Sequence, residues 1–249
     1  MIAVLLALAS CATPPEPPPV PTGVVELAQR YDNATATIDA ASARRLADAM
    51  VNLKATIGPY EGLFFVRDVV EDATQAAESQ TELPVDVQGS LFVHAPCPGW
   101  DAMPEPDPAD GFVELTIGVD DSRAQRAFAG RAHACRFVSN LVGMSLEAQL
   151  ELDVGDRLGF GDPLPTMLVR ATNATLTSSS GQVTQLPELH FRLRDAGVVE
   201  VLVDLGPLGL GLAGTAVVAF YTDGSLALRV REGAWVCAAD WSQPCALSG

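Results

Sequence analysis

Two histidines and two cysteines carry the most chemistry per residue in this chain. His94 and Cys97 are three apart, and His133 and Cys135 are two apart. A Cys₂His₂ set binds zinc tetrahedrally when the fold brings both pairs together. On a regular strand His133 and Cys135 would share a face, whereas His94 and Cys97 would not. The competing chemistry is oxidation. Besides Cys11 the chain holds Cys97, Cys135, Cys237 and Cys245, an even set that permits three pairings. We expect Cys237–Cys245, a short loop stapling the C-terminus, and Cys97–Cys135, a bridge across an acidic insertion. Zinc is then not expected. Oxygen donors offer a weaker alternative for calcium. Asp101, Glu105, Asp107 and Asp110 lie in a proline-rich stretch, and Asp153, Asp156 and Asp162 in a glycine-rich one. Neither follows the spacing of an EF-hand loop, and no metal is expected at either.

Catalytic signatures are sparse. Gly143-Met144-Ser145 lacks the second glycine of a nucleophile elbow, and the one lysine, Lys54, follows no Ser-x-x-Lys spacing. Gly209-Leu210-Gly211-Leu212-Ala213-Gly214 matches GxGxxG, but a dinucleotide site needs that turn to open a helix. The strand-like run Thr215 to Tyr221 follows instead, so no cofactor is expected. The stretch reads as an apolar turn whose Leu208, Leu210 and Leu212 either touch a membrane or ligand, or fold onto the core. His94 and His190 fall on polar strand faces, where solvation is the ordinary state.

The first residues point to an address. Met1 to Ala7 is apolar, and Leu8-Ala9-Ser10-Cys11 follows. This resembles the signal peptide and lipobox of bacterial lipoproteins. The resemblance implies removal of residues 1–10, lipid on Cys11, and a place in the cell envelope. Ala12 stands where an aspartate would hold an enterobacterial lipoprotein at the inner membrane, so the outer membrane is the expected address. Residues 11–22 carry Pro14, Pro15, Pro17, Pro18, Pro19 and Pro21, a composition that favours an extended tether. The even cysteine remainder fits an oxidising compartment.

Behind the tether the elements change period. Over residues 24–57, Leu27, Tyr31, Ala34, Ile38, Ala41, Met50, Leu53 and Ile57 recur three or four apart, with a phase slip near Leu46. This predicts one long amphipathic helix ended by Gly58-Pro59. A second helix is expected at about 60–79, completing a helical segment over 23–83. From residue 84 the period is two. Val85 to Val93, Val113 to Val119, Leu146 to Val154 and Leu189 to Leu193 alternate apolar and polar. Weaker strands are expected at about 126–137, 167–176 and 183–187. Asp195-Ala196-Gly197 and Thr222-Asp223-Gly224-Ser225 mark hairpins. The expected fold is α+β: N-terminal amphipathic helices, then a large curved antiparallel β-sheet in meander order over 84–249, half-barrel or sandwich-like. The helices would cover its open or concave side.

Charge narrows the partners. The chain has 31 acids and 15 bases, a net charge of −16, which disfavours nucleic acid and anionic headgroups. The expected role is that of a lipid-anchored envelope protein, non-catalytic, structural or interacting with another envelope protein. One alternative is a carrier or sensor of an amphiphile held by the apolar sheet face. Another is a hydrolase with a non-standard site.

Overall fold

The structure is a computed structural model that describes residues 19–52, 66–67, 69–70, 90–96, 111–119, 125–139, 142–155, 166–194, 198–221, 224–238 and 245–248. Eleven strands form one antiparallel sheet in strict sequence order, unclosed among the described residues. They are β1 (Ser90–Pro96), β2 (Phe112–Val119), β3 (Gln125–Ser139), β4 (Val142–Val154), β5 (Thr166–Ser178), β6 (Val183–Arg194), β7 (Val198–Asp204), β8 (Thr215–Phe220), β9 (Leu226–Val230), β10 (Gly233–Cys237) and β11 (Ala246–Ser248). Alternation is the cause. Val113, Leu115 and Ile117 of β2 are buried, as are Leu146, Ala148, Leu150, Leu152 and Val154 of β4. The stretches 183–187 and 188–194 join into the single strand β6. Pro187, which cannot donate to a ladder, sits where β6 has no β7 partner.

The register carries one apolar face across the whole sheet. Val169 lies opposite Phe191, Leu193 opposite Val199, Val201 opposite Val218, and Val218 opposite Leu228. That face is covered in two places. Val66, Val69 and Val70, helical in the structure, pack on the β1–β6 part. Helix α2 (Ala40–Asn52) covers the β8–β10 part through Ala43, Leu46, Ala47 and Met50, spaced for one helix side.

The expected single helix over 24–57 is two helices on opposite sheet faces. Helix α1 (Thr22–Asp32) lies on the other face, where Val24, Leu27 and Tyr31 pack against Leu168, Leu202 and Val217. Asn33 ends α1. Asp39 starts α2, its Oδ1 accepting the Ser42 amide at 2.7 Å as an N-cap does. Between them the chain passes from one face to the other. The Thr35 and Ala36 amides donate to the Thr215 carbonyl at 3.0 and 2.9 Å, and the Arg231 amide donates to the Ala36 carbonyl at 3.0 Å. The crossing thus runs between the diverging ends of β8 and β9, and its backbone groups are satisfied there. Leu53 and Ile57 lie outside the described residues.

Three bulges interrupt the ladders, the first in β3 opposite Thr116 and Ile117 of β2. The β3–β4 register shifts between Ala132 and Cys135, where Ala134 has φ 48°. The β4–β5 register shifts beside Asn173, φ 53°. Each inserts a residue and reverses which side chains face the core. Ala132 and Cys135 are therefore both buried in the core, while His133 points to the opposite face.

Candidate functional site

The sheet nearly divides between β6 and β7. Only Arg192–Arg194 and Val198–Glu200 pair across that seam, although β6 spans Val183–Arg194 and β7 spans Val198–Asp204. Where the ladder stops, Tyr31 of α1 joins the two strands. Its hydroxyl donates to the Glu200 carbonyl at 3.3 Å and lies 3.0 Å from Nδ1 of His190 on β6. The phenol is fully buried. Its ring stands edge-on to the imidazole and lies 4.8 Å beneath the Arg192 guanidinium.

Around this joint the strand faces bring charges together. Arg192 and Glu200 are register partners. Arg192 donates from Nε to Glu200 at 2.6 Å and from Nη1 to Asp32 at 2.8 Å. Arg194 lies 3.4 Å from the other Glu200 oxygen, and Arg229 of β9 lies 3.7 Å from Oε2. Arg229 also donates to the Tyr31 carbonyl at 2.8 Å, satisfying an orphan carbonyl at the end of α1. Burial dominates the titration here. It pushes the His190 imidazole down to about 4, with Arg30 and Arg170 adding to the shift and Glu188 opposing it. Arg229 is likewise lowered, first by burial and then by Arg192 and Arg194, against Glu200 and Asp32.

Next to the joint a second network locks the start of α1. Arg170 bridges Glu151 at 2.6 Å and Glu188 at 3.0 Å across three adjacent strands. Gly23 passes directly over it; a Cβ there would lie 2.9 Å from a Glu151 oxygen. At the other end of α1 a cleft of about 390 Å³ opens, lined by Asp32, Asn33, Ala34, Thr35, Arg229, Val230 and Arg231.

The residues singled out from sequence are distributed as follows. His94 and His133 do meet, though not with cysteine. Each lies 3.5 Å from one oxygen of Glu114, and the Phe112 ring lies between the imidazoles at 4.6 and 4.4 Å. The β3 bulge puts Cys135 on the other side of the sheet, so a Cys₂His₂ set built on these residues is excluded. Cys135 is disulfide-bonded; Cys97 lies outside the described residues. Cys237 and Cys245 are joined, as expected. Leu208, Leu210 and Leu212 are half-buried against the α2-side core. Gly209, Gly211 and Gly214 have φ of 68°, 70° and 84° in a turn leading into β8, so the GxGxxG match opens no helix. Cys11, Asp101, Glu105, Asp107, Asp110, Asp156 and Asp162 lie outside the described residues. Among the described residues no three His, Cys, Asp or Glu side chains form a metal-holding group, and no helix is long and apolar enough to cross a membrane.

The sequence reading missed the Tyr31–His190–Arg192–Glu200 joint. One signal was available. Met167-Leu168-Val169, Val201-Leu202-Val203 and Ala216-Val217-Val218-Ala219 are continuous apolar runs, which mark strands covered on both faces. Comparison with family models, with curated proteins and with solved structures yields no match.

Proposed function

We propose that this chain is a lipid-anchored cell-envelope protein with a non-catalytic, interaction role, held by lipid on Cys11 and set off from the membrane by the proline-rich tether. The observation that supports the non-catalytic part is the state of His190. It is the imidazole that lies beside both a hydroxyl (Tyr31) and a carboxylate (Glu188, 3.8 Å from Nε2). A hydrolase needs such a trio open to substrate. Here the phenol is fully buried and committed to His190 and Glu200, so the trio fastens α1 to the sheet instead. The bulged strands support a curved, half-barrel form of the sheet, since bulges bend the strands that carry them.

Metabolic labelling with palmitate tests the anchor. The wild-type chain should take up label and fractionate with outer membrane, and Cys11→Ser should do neither. An unlabelled wild type in the soluble fraction would sink the reading. The continuous apolar face across β1–β10 favours a second reading, a carrier of an amphiphile. Lipid retained in the native mass spectrum of the purified protein would support the carrier, and a bare protein mass the interaction role.

A further inference from the structure

The cleft at the end of α1 sits where the charge of the chain is out of balance. Three guanidinium groups, Arg192, Arg194 and Arg229, meet two carboxylates, Glu200 and Asp32. A fourth cation, Arg231, is exposed and lines the cleft beside Arg229. Asp32 lines it too, but its carboxylate is already held by Arg192. Two buried guanidinium nitrogens of this group, Arg192 Nη2 and Arg229 Nε, have no hydrogen-bond partner among the described residues, and Arg229 is the one of the two that lines the cleft. A buried cation is stable when its charge is matched and its donors are used. This excess stands out in a molecule of net charge −16.

We propose that this cleft binds a small anion carrying a carboxylate or phosphate group, with Arg229 and Arg231 holding the charge. The volume, about 390 Å³, suits a small organic anion or a single headgroup, being at the lower end of ligand pockets at roughly 300–1,000 Å³. Asn33 and Thr35 supply a polar wall. The anion completes the charge balance and screens the repulsion between Arg229 and its arginine neighbours. It also bridges the end of α1 to the end of β9, so occupancy reinforces the place where the chain crosses the sheet. None of this rests on the anchor: the cleft has the same chemistry whether or not Cys11 carries lipid.

Isothermal titration of the full chain in a neutral detergent tests it, with ionic strength held constant by sodium chloride. The probes are inorganic phosphate, malonate, and micelles doped with phosphatidylglycerol. One-to-one saturable binding of a free anion supports a soluble ligand. Binding of the doped micelles alone supports a lipid headgroup as the source of the same chemistry. Arg231→Gln, an exposed side chain whose loss leaves the fold intact, should weaken binding by about tenfold or more, the effect of one charge-assisted hydrogen bond. Arg44→Gln on α2 removes the same charge away from the cleft and should leave binding unchanged. Absence of saturable binding with every probe overturns the proposal. So does equal weakening in the two variants, which would report general charge screening.

Discussion

Glu200 is the residue on which the seam between β6 and β7 depends. It is 4% exposed and faces Arg192, itself 8% exposed. Removing one partner of a buried pair leaves the other uncompensated, at a cost of about 3–5 kcal/mol. Glu200→Ala should lower unfolding free energy in urea by that order. Tyr31→Phe keeps the ring beneath Arg192 and loses only the hydroxyl, so a smaller loss of about 1–3 kcal/mol is expected. His190 adds a pH dependence. Its pKa falls from the ordinary 6.5 to about 4 in the folded chain, so the unfolded chain takes up the proton first as pH drops. This contribution is fully present above pH 6.5 and is lost as pH falls toward 4, a change of about 3 kcal/mol. The groups facing the imidazole are Tyr31 and Arg30 from α1, Arg170 from β5 and Glu188 from β6 itself. The pH slope of stability in His190→Gln should be flatter than in the wild type between these limits. Equal slopes would show that His190 is not held neutral.

At the scale of elements, the crossing between α1 and α2 is the feature the periodicity concealed. Residues 24–57 keep near-helical spacing through Ala34 and Ile38, because an extended segment with buried Ala36 and Ile38 mimics it over a few residues. Thr35 and Thr37, β-branched, and the capping residues Asn33 and Asp39 are the local signs of the break. Gly214 lets the crossing approach β8. Its φ is 84°, and a Cβ there would lie 2.9 Å from Thr35 Oγ1 and 3.0 Å from the Ala36 nitrogen. Gly209 and Gly211 also have positive φ but face open space. Alanine at either of the latter should cost about 1–2 kcal/mol from backbone strain alone. Gly214→Ala adds the clash and should melt at a clearly lower temperature than both. Three equal melting temperatures would mean that the crossing is not packed against β8.

At the scale of the molecule, the sheet is two blocks joined by a short ladder and bolted by α1. Hydrogen exchange should reveal this. Tyr31→Ala, which empties a fully buried site, should cost about 3–5 kcal/mol. It should raise exchange first at Arg192–Arg194 and Val198–Glu200, before the long β3–β5 ladders. Uniform loosening of the whole sheet would contradict a seam. The C-terminal edge has its own fastening. Cys237 and Cys245 are both buried, and opening this bridge with Cys245→Ser should cost about 2–4 kcal/mol by freeing the unfolded chain. Alkylation of the unreduced protein should leave Cys135, Cys237 and Cys245 unlabelled.

The amino-acid sequence marked most of the strands from β1 to β9 and their meander order, because alternation is set by backbone sterics and by burial on one face; β10 and β11 were not legible in it, and β6 read as two strands. It favoured the Cys237–Cys245 staple among three possible pairings, because a sequence separation of eight closes a short loop. It did not determine what the polar face does. Arg192, Glu200 and His190 occupy positions that alternation assigns to water. They are buried because α1, about 160–170 residues away in sequence, lies over them. Nor could local spacing reveal the bulge at Ala134, which separates His133 from Cys135 and brings His133 to Glu114 beside His94. Both outcomes depend on contacts between distant segments, and a periodic pattern within one segment carries no information about them.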